Sequence, residues 1–329
     1  MRKKVITFIE KIFDKVVLAF ASLFDCEPFY IFCPFSYIFE YIMVLYLYKT
    51  VMLLMGLEGS KELSEKDKYI KCWIALLLVL PMVVANGAIW KQSDAVYAAL
   101  ICVAFYYFAK KKYTLTFIWV GVAFSLKYQT VFIIPFLLMV YFVQKEFSIL
   151  QFFWIPAMYL IAGLPAVLCG QKITHVYGTY YRQMNEYGAM TINAPVIYVI
   201  GLTEYMYHHV AIVITMAAFV FMLAYLIINK IDMNVNFLFY LAGWSVMTCF
   251  EFLPSMHERY DYLAIVILTV IAMIFRHRII PAVITMHLVS ACTYGSFLFL
   301  YPVNFTVAAI AYLAAYCWIT YDLIVYSRE

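Results

Sequence analysis

The chain has 329 residues, 67% of them hydrophobic and only 13% charged, with a formal net charge of +4. Soluble globular proteins are about half apolar and a quarter charged, so this composition excludes an ordinary soluble domain and indicates an integral membrane protein. The cysteines form no CxxC pair and no Cys/His spacing that would indicate a zinc site, and we expect no nucleic-acid partner.

The first segment, residues 1–24, is amphipathic in its first half and apolar in its second half. It predicts either a first span or a helix that lies on the inner membrane surface. After it come apolar segments that approach the ~20 residues a membrane-spanning helix needs. In chain order they are 29–56, 70–90, 94–109, 113–126, 128–144, 147–170, 207–229, 234–252, 261–275, 279–300 and 304–324. We therefore predict an all-α polytopic integral membrane protein, a single transmembrane domain over residues 1–329 with a bundle of about 11–12 transmembrane helices.

The loops between these segments predict how the chain is oriented. Alternate threading of the spans gathers most Lys and Arg residues on one side, which the positive-inside rule assigns to the cytoplasm. Residues 57–71 then form a cytoplasmic loop and residues 171–206 an extracytoplasmic loop. The basic residues on the outer side are Lys91, Lys127, Lys172, Arg182 and Arg259.

Charged groups at the edge of the apolar layer are candidates for function, because they are costly there unless they are paired or hydrated. Asp94 with Gln92 and Lys127 with Gln129 are two such groups. Each has a simpler alternative. Asp94 could cap the helix that starts at Ala95, and Lys127 could extend its ammonium group to the membrane surface.

A third outer group is the run His257, Glu258, Arg259 and Tyr260, which separates two apolar segments. The planar arginine fork suits phosphate, whereas histidine and glutamate can move protons or hold a metal. A divalent cation is therefore a candidate cofactor, although the sequence has no defined metal site and no certain cofactor.

The long outer loop adds a fourth group of candidates, Arg182, Gln183 and Asn193, in a segment rich in tyrosine. Aromatic faces and amides suit a sugar ring or an isoprenoid headgroup. An aromatic belt at the membrane interface explains the tyrosines equally well.

Four segments of the sequence, taken in chain order, match the motifs of a known family. They are Asn86-Gly-Ala-Ile-Trp-Lys-Gln-Ser-Asp-Ala-Val-Tyr97, Gly121-Val-Ala-Phe-Ser-Leu-Lys-Tyr-Gln129 with Pro135, Leu164-Pro165 and Gly170 with the loop from Tyr181 to Tyr198, and Leu253-Pro-Ser-Met-His-Glu-Arg-Tyr260. Together they resemble bacterial membrane glycosyltransferases of the GT-C superfamily, in the branch related to the second mannosyltransferase of GPI-anchor synthesis. The resemblance runs from about Pro28 to the C-terminus.

The resemblance implies transfer of a mannose-like hexose from a polyprenyl-phosphate donor to an envelope glycan or lipid acceptor. The reaction would be inverting and would take place on the extracytoplasmic face of a bacterial plasma membrane, with the lipid bilayer as a further partner. Arg259 and Lys127 would stabilise the leaving phosphate. His257 and Glu258 would hold substrate, with or without a divalent ion. The substrate-binding candidates are Gln92, Asp94, Lys127, Gln129, Arg182, Gln183, Asn193, His257, Glu258, Arg259 and Tyr260.

The sequence departs from the family pattern in two places. The family begins with an additional span and an outer loop whose Asp residues include the presumed general base, and neither has a counterpart here. Asp25 and Glu27 are the outer carboxylates near the N-terminus, and neither has the expected context. Lys91 also replaces the glycine between Trp and Gln. No catalytic base is therefore assigned.

Two other functions remain open. A catalytically incomplete relative could bind polyprenyl lipid or a partner enzyme, which the missing acidic loop favours. A transporter or flippase would use Glu40, a carboxylate in the middle of a predicted span. Transporter sites, however, usually lie near the middle of the bilayer, whereas the polar groups here gather at one face.

Overall fold

A computed structural model describes residues 33–58, 65–184 and 186–329. The predictions for residues 1–24, Asp25 and Glu27 lie outside these ranges. Among the described residues the regular structure is helical, apart from one pair of two-residue strands, β1 (Thr191–Ile192) and β2 (Met256–His257).

The α-helices follow one another along the whole described chain. They are α1 (Cys33–Leu54), α2 (Glu65–Ala75), α3 (Pro81–Val84), α4 (Asp94–Ala109), α5 (Tyr113–Leu126), α6 (Ile134–Gln144), α7 (Trp154–Leu168), α8 (Ile173–Tyr177), α9 (Thr179–Met184), α10 (His208–Ile228), α11 (Val235–Phe252), α12 (Tyr262–Ile274), α13 (Ile280–Phe299) and α14 (Phe305–Tyr326). A π-helical turn, Ala85–Ile89, extends α3. Short 3₁₀ turns precede several helices, among them Tyr128–Ile133 before α6 and Tyr205–Tyr207 before α10.

The lengths of these helices fit a membrane. Among the described residues, six helical segments are long and apolar enough to cross a bilayer, and a bent pair, Glu65–Val79 with Pro81–Ile89, makes seven if it counts as one span. Four shorter apolar helices are Asp94–Ala109, Tyr113–Leu126, Tyr128–Gln144 and Tyr262–Ile274. The prediction of an all-α polytopic membrane protein is confirmed. The larger total of spans stays a prediction, because it depends on these shorter helices.

Local signals in the sequence explain where several helices begin. Pro135 and Pro281 stand in the first turns of α6 and α13, where the missing N–H has no intrahelical partner to lose. The side chains of Asn234 and Asn304 accept hydrogen bonds from the N–H groups of the first turns of α11 and α14.

The segment at 70–90 differs from a single predicted span. Its first helix begins earlier, at Glu65, within the segment predicted as a polar loop, and the pair is bent by 45° at the break before Pro81. Pro81 cannot continue the hydrogen-bonding ladder of the preceding helix, so the chain starts a new helix there.

The centre of the bundle is formed by α11 and α12. Every residue from Phe237 to Glu251 is buried, as is every residue from Tyr262 to Ala272. By contrast, α7 packs on α5 with one face and exposes most of its apolar surface, including Leu164 and Leu168. Exposed apolar surface of this kind suits contact with lipid.

The loops gather at the two ends of the bundle. At the basic end, Lys110 pairs with Glu58, and Arg276 pairs with Glu329. The other end, called the site end below, joins the turn before α4, the α5–α6 connection, the α7–α10 loop and the α11–α12 loop through the contacts described next. The connections that the sequence placed on one membrane face therefore meet in space.

Candidate functional site

Asp94 is the centre of the site end. It is the first residue of α4 and its side chain is completely buried. Lys127 Nζ, from the α5–α6 connection, lies 2.5 Å from Asp94 Oδ1. Asn86 Nδ2 donates a hydrogen bond of 2.9 Å to Asp94 Oδ2. The first turn of α4 also favours a negative charge at this position, because its free N–H groups carry partial positive charge.

Arg259 is the second cation of the cluster. Its Nε lies 3.8 Å from Asp94 Oδ2, and its guanidinium NH1 donates to Glu258 Oε1 at 3.3 Å. The guanidinium carbon lies 5.0 Å from the ring centre of Trp90 and 5.6 Å from that of Tyr260. Rings at these distances attract the cation through their negative faces, so Arg259 is fixed by charge and by aromatic contact together.

The α11–α12 loop, which carries Arg259, is held in place by the long α7–α10 loop. Strands β1 and β2 pair in parallel, with Thr191 opposite Met256. The backbone of Ser255 adopts a left-handed conformation, and its N–H donates to the carbonyl of Met190 at 2.8 Å. Tyr198 Oη donates to the carbonyl of Phe252 at 2.7 Å. The two loops are therefore joined along their length, which fixes the direction in which Arg259 leaves the backbone.

Asn86 is a site residue that the sequence analysis quoted in a motif but did not choose as a candidate. It lies in the π-helical turn, and besides Asp94 it contacts Tyr294 Oη at 3.1 Å. The wider turn of a π-helix shifts side-chain directions and is frequent at functional sites. The next residue, Gly87, has no Cβ, and a Cβ there would overlap with the Glu40 carboxylate. The signal that could have found Asn86 is its fixed place at the start of the motif.

A cavity of about 300 Å³ approaches the cluster at Tyr260, whose ring centre lies 5.6 Å from the guanidinium carbon of Arg259, although Asp94, Lys127 and Arg259 do not line it. Its polar wall includes Gln129 and Tyr260, which are close sequence neighbours of Lys127 and Arg259. Its remaining lining comes from Tyr128, Val131, Phe132, Gln183, Met184, Tyr187, Tyr205, His208, Ile212, Leu253, Pro254, Ser255 and Met256. Ligand sites of small molecules have this size and this mixture of mostly apolar walls with a few polar groups.

Burial sets the proton affinities around the cluster. Desolvation lowers the pKa of His257 to about 4, with a further contribution from the positive charge of Arg259. Desolvation also lowers the pKa of Lys127, although Asp94 opposes this shift. The pKa of Glu258 is raised by burial, against the opposing effect of Arg259. At neutral pH the imidazole of His257 is therefore uncharged.

Two simpler alternatives from the sequence are wrong. The Asp94 carboxylate does not serve only as a helix cap, because it binds Lys127 and Asn86 from other segments. The Lys127 side chain does not extend to the surface, because only 14% of it is exposed and its ammonium group binds Asp94. Both expectations considered only neighbours in sequence, and the partners come from further away.

The structure gives the other candidates different positions and contacts. Gln129 is buried beside the cavity, and Gln183 lines it. The backbone of Asn193 forms a bridge with His257. The backbone carbonyl of Gln92 accepts a hydrogen bond of 3.0 Å from Ser36 Oγ.

Arg182 lies apart from the cluster. Its guanidinium group donates to the carbonyls of Thr174 and His175, at 3.2 and 2.6 Å. With Gln183 and Glu186 it lines a separate surface hollow. In the structure it therefore stabilises the α8–α9 turn.

Neither metal geometry nor similarity to known proteins adds to this description. Among the described residues, no group of three or more His, Cys, Asp and Glu side chains is arranged to hold a metal ion. No protein-family model matches the sequence, and comparison with curated proteins and solved structures gave no similar protein.

Proposed function

We propose that the chain is a lipid-linked sugar transferase, which moves a hexose from a polyprenyl-phosphate donor to a glycan or lipid acceptor on the extracytoplasmic face of the membrane. The observation that carries the proposal is the convergence of Lys127 and Arg259 on Asp94 beside the cavity. The sequence resemblance named these same residues, and their contacts join three of its four motifs.

The two cations keep capacity for a phosphate group. The Arg259 guanidinium group donates one side-chain hydrogen bond among the described residues, from NH1 to Glu258, and 19% of the side chain is exposed. Lys127 has three ammonium donors, of which Asp94 occupies one. Fixed cations in a water-poor site stabilise negative charge that develops on a leaving phosphate, and they need no rearrangement to do so. Asp94, which accepts a hydrogen bond from Asn86, would then hold the cations in place rather than react.

The cavity suits the other parts of such a donor. Gln129, Gln183 and the cavity tyrosines offer amides and aromatic faces to a sugar ring. On the α10 side, Ile212 both lines the cavity and is exposed on the outside of the bundle. An isoprenoid chain could follow this side towards the lipid.

The left-handed backbone at Lys91 is a second observation that supports the resemblance. Lys91 has φ of 58°, a conformation that glycine adopts without strain. It is the position at which the family pattern has glycine, the residue type that adopts this conformation freely.

The experiment measures the transfer of radiolabelled hexose from a polyprenyl-phosphate donor to bacterial envelope lipids and glycans. The purified full chain is used in lipid vesicles. We expect labelled product, and about a 100-fold to 1,000-fold lower rate for Arg259→Ala, as found when one stabilising donor is removed from an active site. Lys172→Ala is the matched control, since Lys172 is an exposed basic residue at the start of α8. Absence of turnover by the folded wild-type chain with every such donor would refute the proposal.

A further inference from the structure

His208 is the imidazole that borders the cavity. It is the first residue of α10, and it lies on the cavity wall with Gln129 and Tyr260. Its Nδ1 atom lies 2.7 Å from the carbonyl oxygen of Tyr205. Its ring stacks on the ring of Tyr205, with centres 4.5 Å apart and planes inclined by 10°. The side chain is therefore held in one orientation by a hydrogen bond and a stacked ring.

The hydrogen bond to Tyr205 decides which ring nitrogen carries the proton. A carbonyl oxygen only accepts hydrogen bonds, so Nδ1 must be the donor. In the neutral ring, Nε2 then carries the lone pair, and no described residue forms a hydrogen bond with Nε2. A neutral imidazole whose Nδ1–H is fixed by an oxygen acceptor, with Nε2 left open, has the arrangement of a general base.

The carboxylates near the cavity are less suited to this role. Asp94 is fully buried and already binds Lys127 and Asn86. Glu258 is 1% exposed and does not line the cavity. His257 is also buried, with its ring against Tyr187 and Tyr260. A base must reach the proton that it removes, and of the His, Asp and Glu residues considered in the described part of the chain, His208 is the one on the cavity wall.

We propose that His208 Nε2 is the general base that removes the proton from the acceptor hydroxyl. This inference rests on the proposed function, for which the sequence had given no base. The acceptor O–H bond breaks and its proton moves to Nε2, while the acceptor oxygen forms a bond to the anomeric carbon of the sugar. The bond between that carbon and the phosphate oxygen breaks, and its electron pair leaves with the polyprenyl phosphate. The imidazolium then returns the proton to the phosphate or to water.

The test uses His208→Asn, because the asparagine amide can donate to the Tyr205 carbonyl as Nδ1–H does but has no basic nitrogen. We expect kcat to fall about 100-fold to 10,000-fold, the usual contribution of a general base, with a much smaller change in KM. His277→Asn is the matched control, since His277 Nδ1 also lies close to a backbone carbonyl, that of Ala272 at 2.9 Å, and His277 does not line the cavity. The control variant should transfer sugar at the wild-type rate.

A further readout separates a base from a structural role. Added imidazole should restore part of the rate of His208→Ala, and should not do so for Arg259→Ala. If His208→Asn unfolds, the imidazole rescue of His208→Ala decides the question.

The outcomes distinguish this inference from the proposed function. Wild-type turnover that persists in His208→Asn and is abolished in Arg259→Ala would overturn the role of His208 and leave the transferase proposal intact. A folded wild-type chain without turnover would overturn both.

Discussion

The ammonium group of Lys127 lies 2.5 Å from the carboxylate of Asp94, although the two residues are 33 positions apart in the chain. This contact joins the turn between α5 and α6 to the start of α4. Both side chains are withdrawn from the exterior, with 14% and 0% of their surface exposed. The pair therefore has consequences for stability as well as for function.

The first prediction concerns the free energy of unfolding of this pair. Asp94→Asn removes the carboxylate and leaves a buried ammonium group without its partner, which should destabilise the protein by about 3–5 kcal/mol. Lys127→Gln should have an effect of similar size. The double substitution leaves neither charge, so its cost should be less than the sum by about 0.5–3 kcal/mol. Thermal unfolding in lipid nanodiscs, followed by tryptophan fluorescence, measures all three. Strictly additive costs would contradict a direct pair.

A second prediction follows from the low pKa of His257. Burial lowers it from 6.5 to about 4, so between these values the folded state keeps the ring neutral while the unfolded chain binds a proton. The unfolded state therefore gains protons first, and stability is lost as the pH falls from 6.5 towards 4. The unfolding temperature of the wild type should therefore fall more steeply than that of His257→Gln as the pH is lowered across this range.

The matched variant is needed because other groups titrate in the same range. Burial raises the pKa of Glu258, and this contribution favours the folded state as the pH falls. It is present in both proteins and cancels in the comparison. If the wild type and His257→Gln lost the same stability on acidification, His257 would be exposed to solvent in the folded protein.

A third prediction tests the close approach of α1 to the π-helical turn. Gly87→Ala places a methyl group on the Glu40 carboxylate, so it should destabilise the protein by about 1–3 kcal/mol through overpacking. A shorter side chain in the same background, Glu40→Ser, should recover part of this loss. Gly201→Ala is the control, since a Cβ there has no neighbour within 4 Å. Equal unfolding temperatures for the two alanine variants would show that Glu40 moves aside without cost.

A fourth prediction concerns the backbone of Lys91, whose φ is 58°. Lys91→Gly relieves the strain of a Cβ at positive φ, because glycine adopts this conformation freely. Lys91→Val removes the same charge but adds a branched Cβ, which is strained at positive φ, so it should be less stable by about 1–2 kcal/mol. The two variants share the loss of the lysine, and the difference between their unfolding temperatures reports the backbone alone. Indistinguishable values would place the strain elsewhere.

The sequence by itself determined that the chain is a helical membrane protein. The boundaries 94–109 and 113–126 were predicted at the residues where α4 and α5 begin and end. This was possible because apolar length is a local property, and a bilayer requires each spanning segment to satisfy its own backbone hydrogen bonds. Charge in the loops likewise grouped Asp94, Lys127 and Arg259 on one face before any contact was known.

The tertiary structure alone decided which of these groups touch. Local reasoning gave Asp94 a capping role and gave Lys127 no acidic partner, whereas packing of α4 against α5 brings the two together. It also set Arg182 apart from the cluster and placed His208 on the cavity wall. Contacts between distant segments depend on how the helices pack, and the spacing of residues along one helix carries no information about that arrangement.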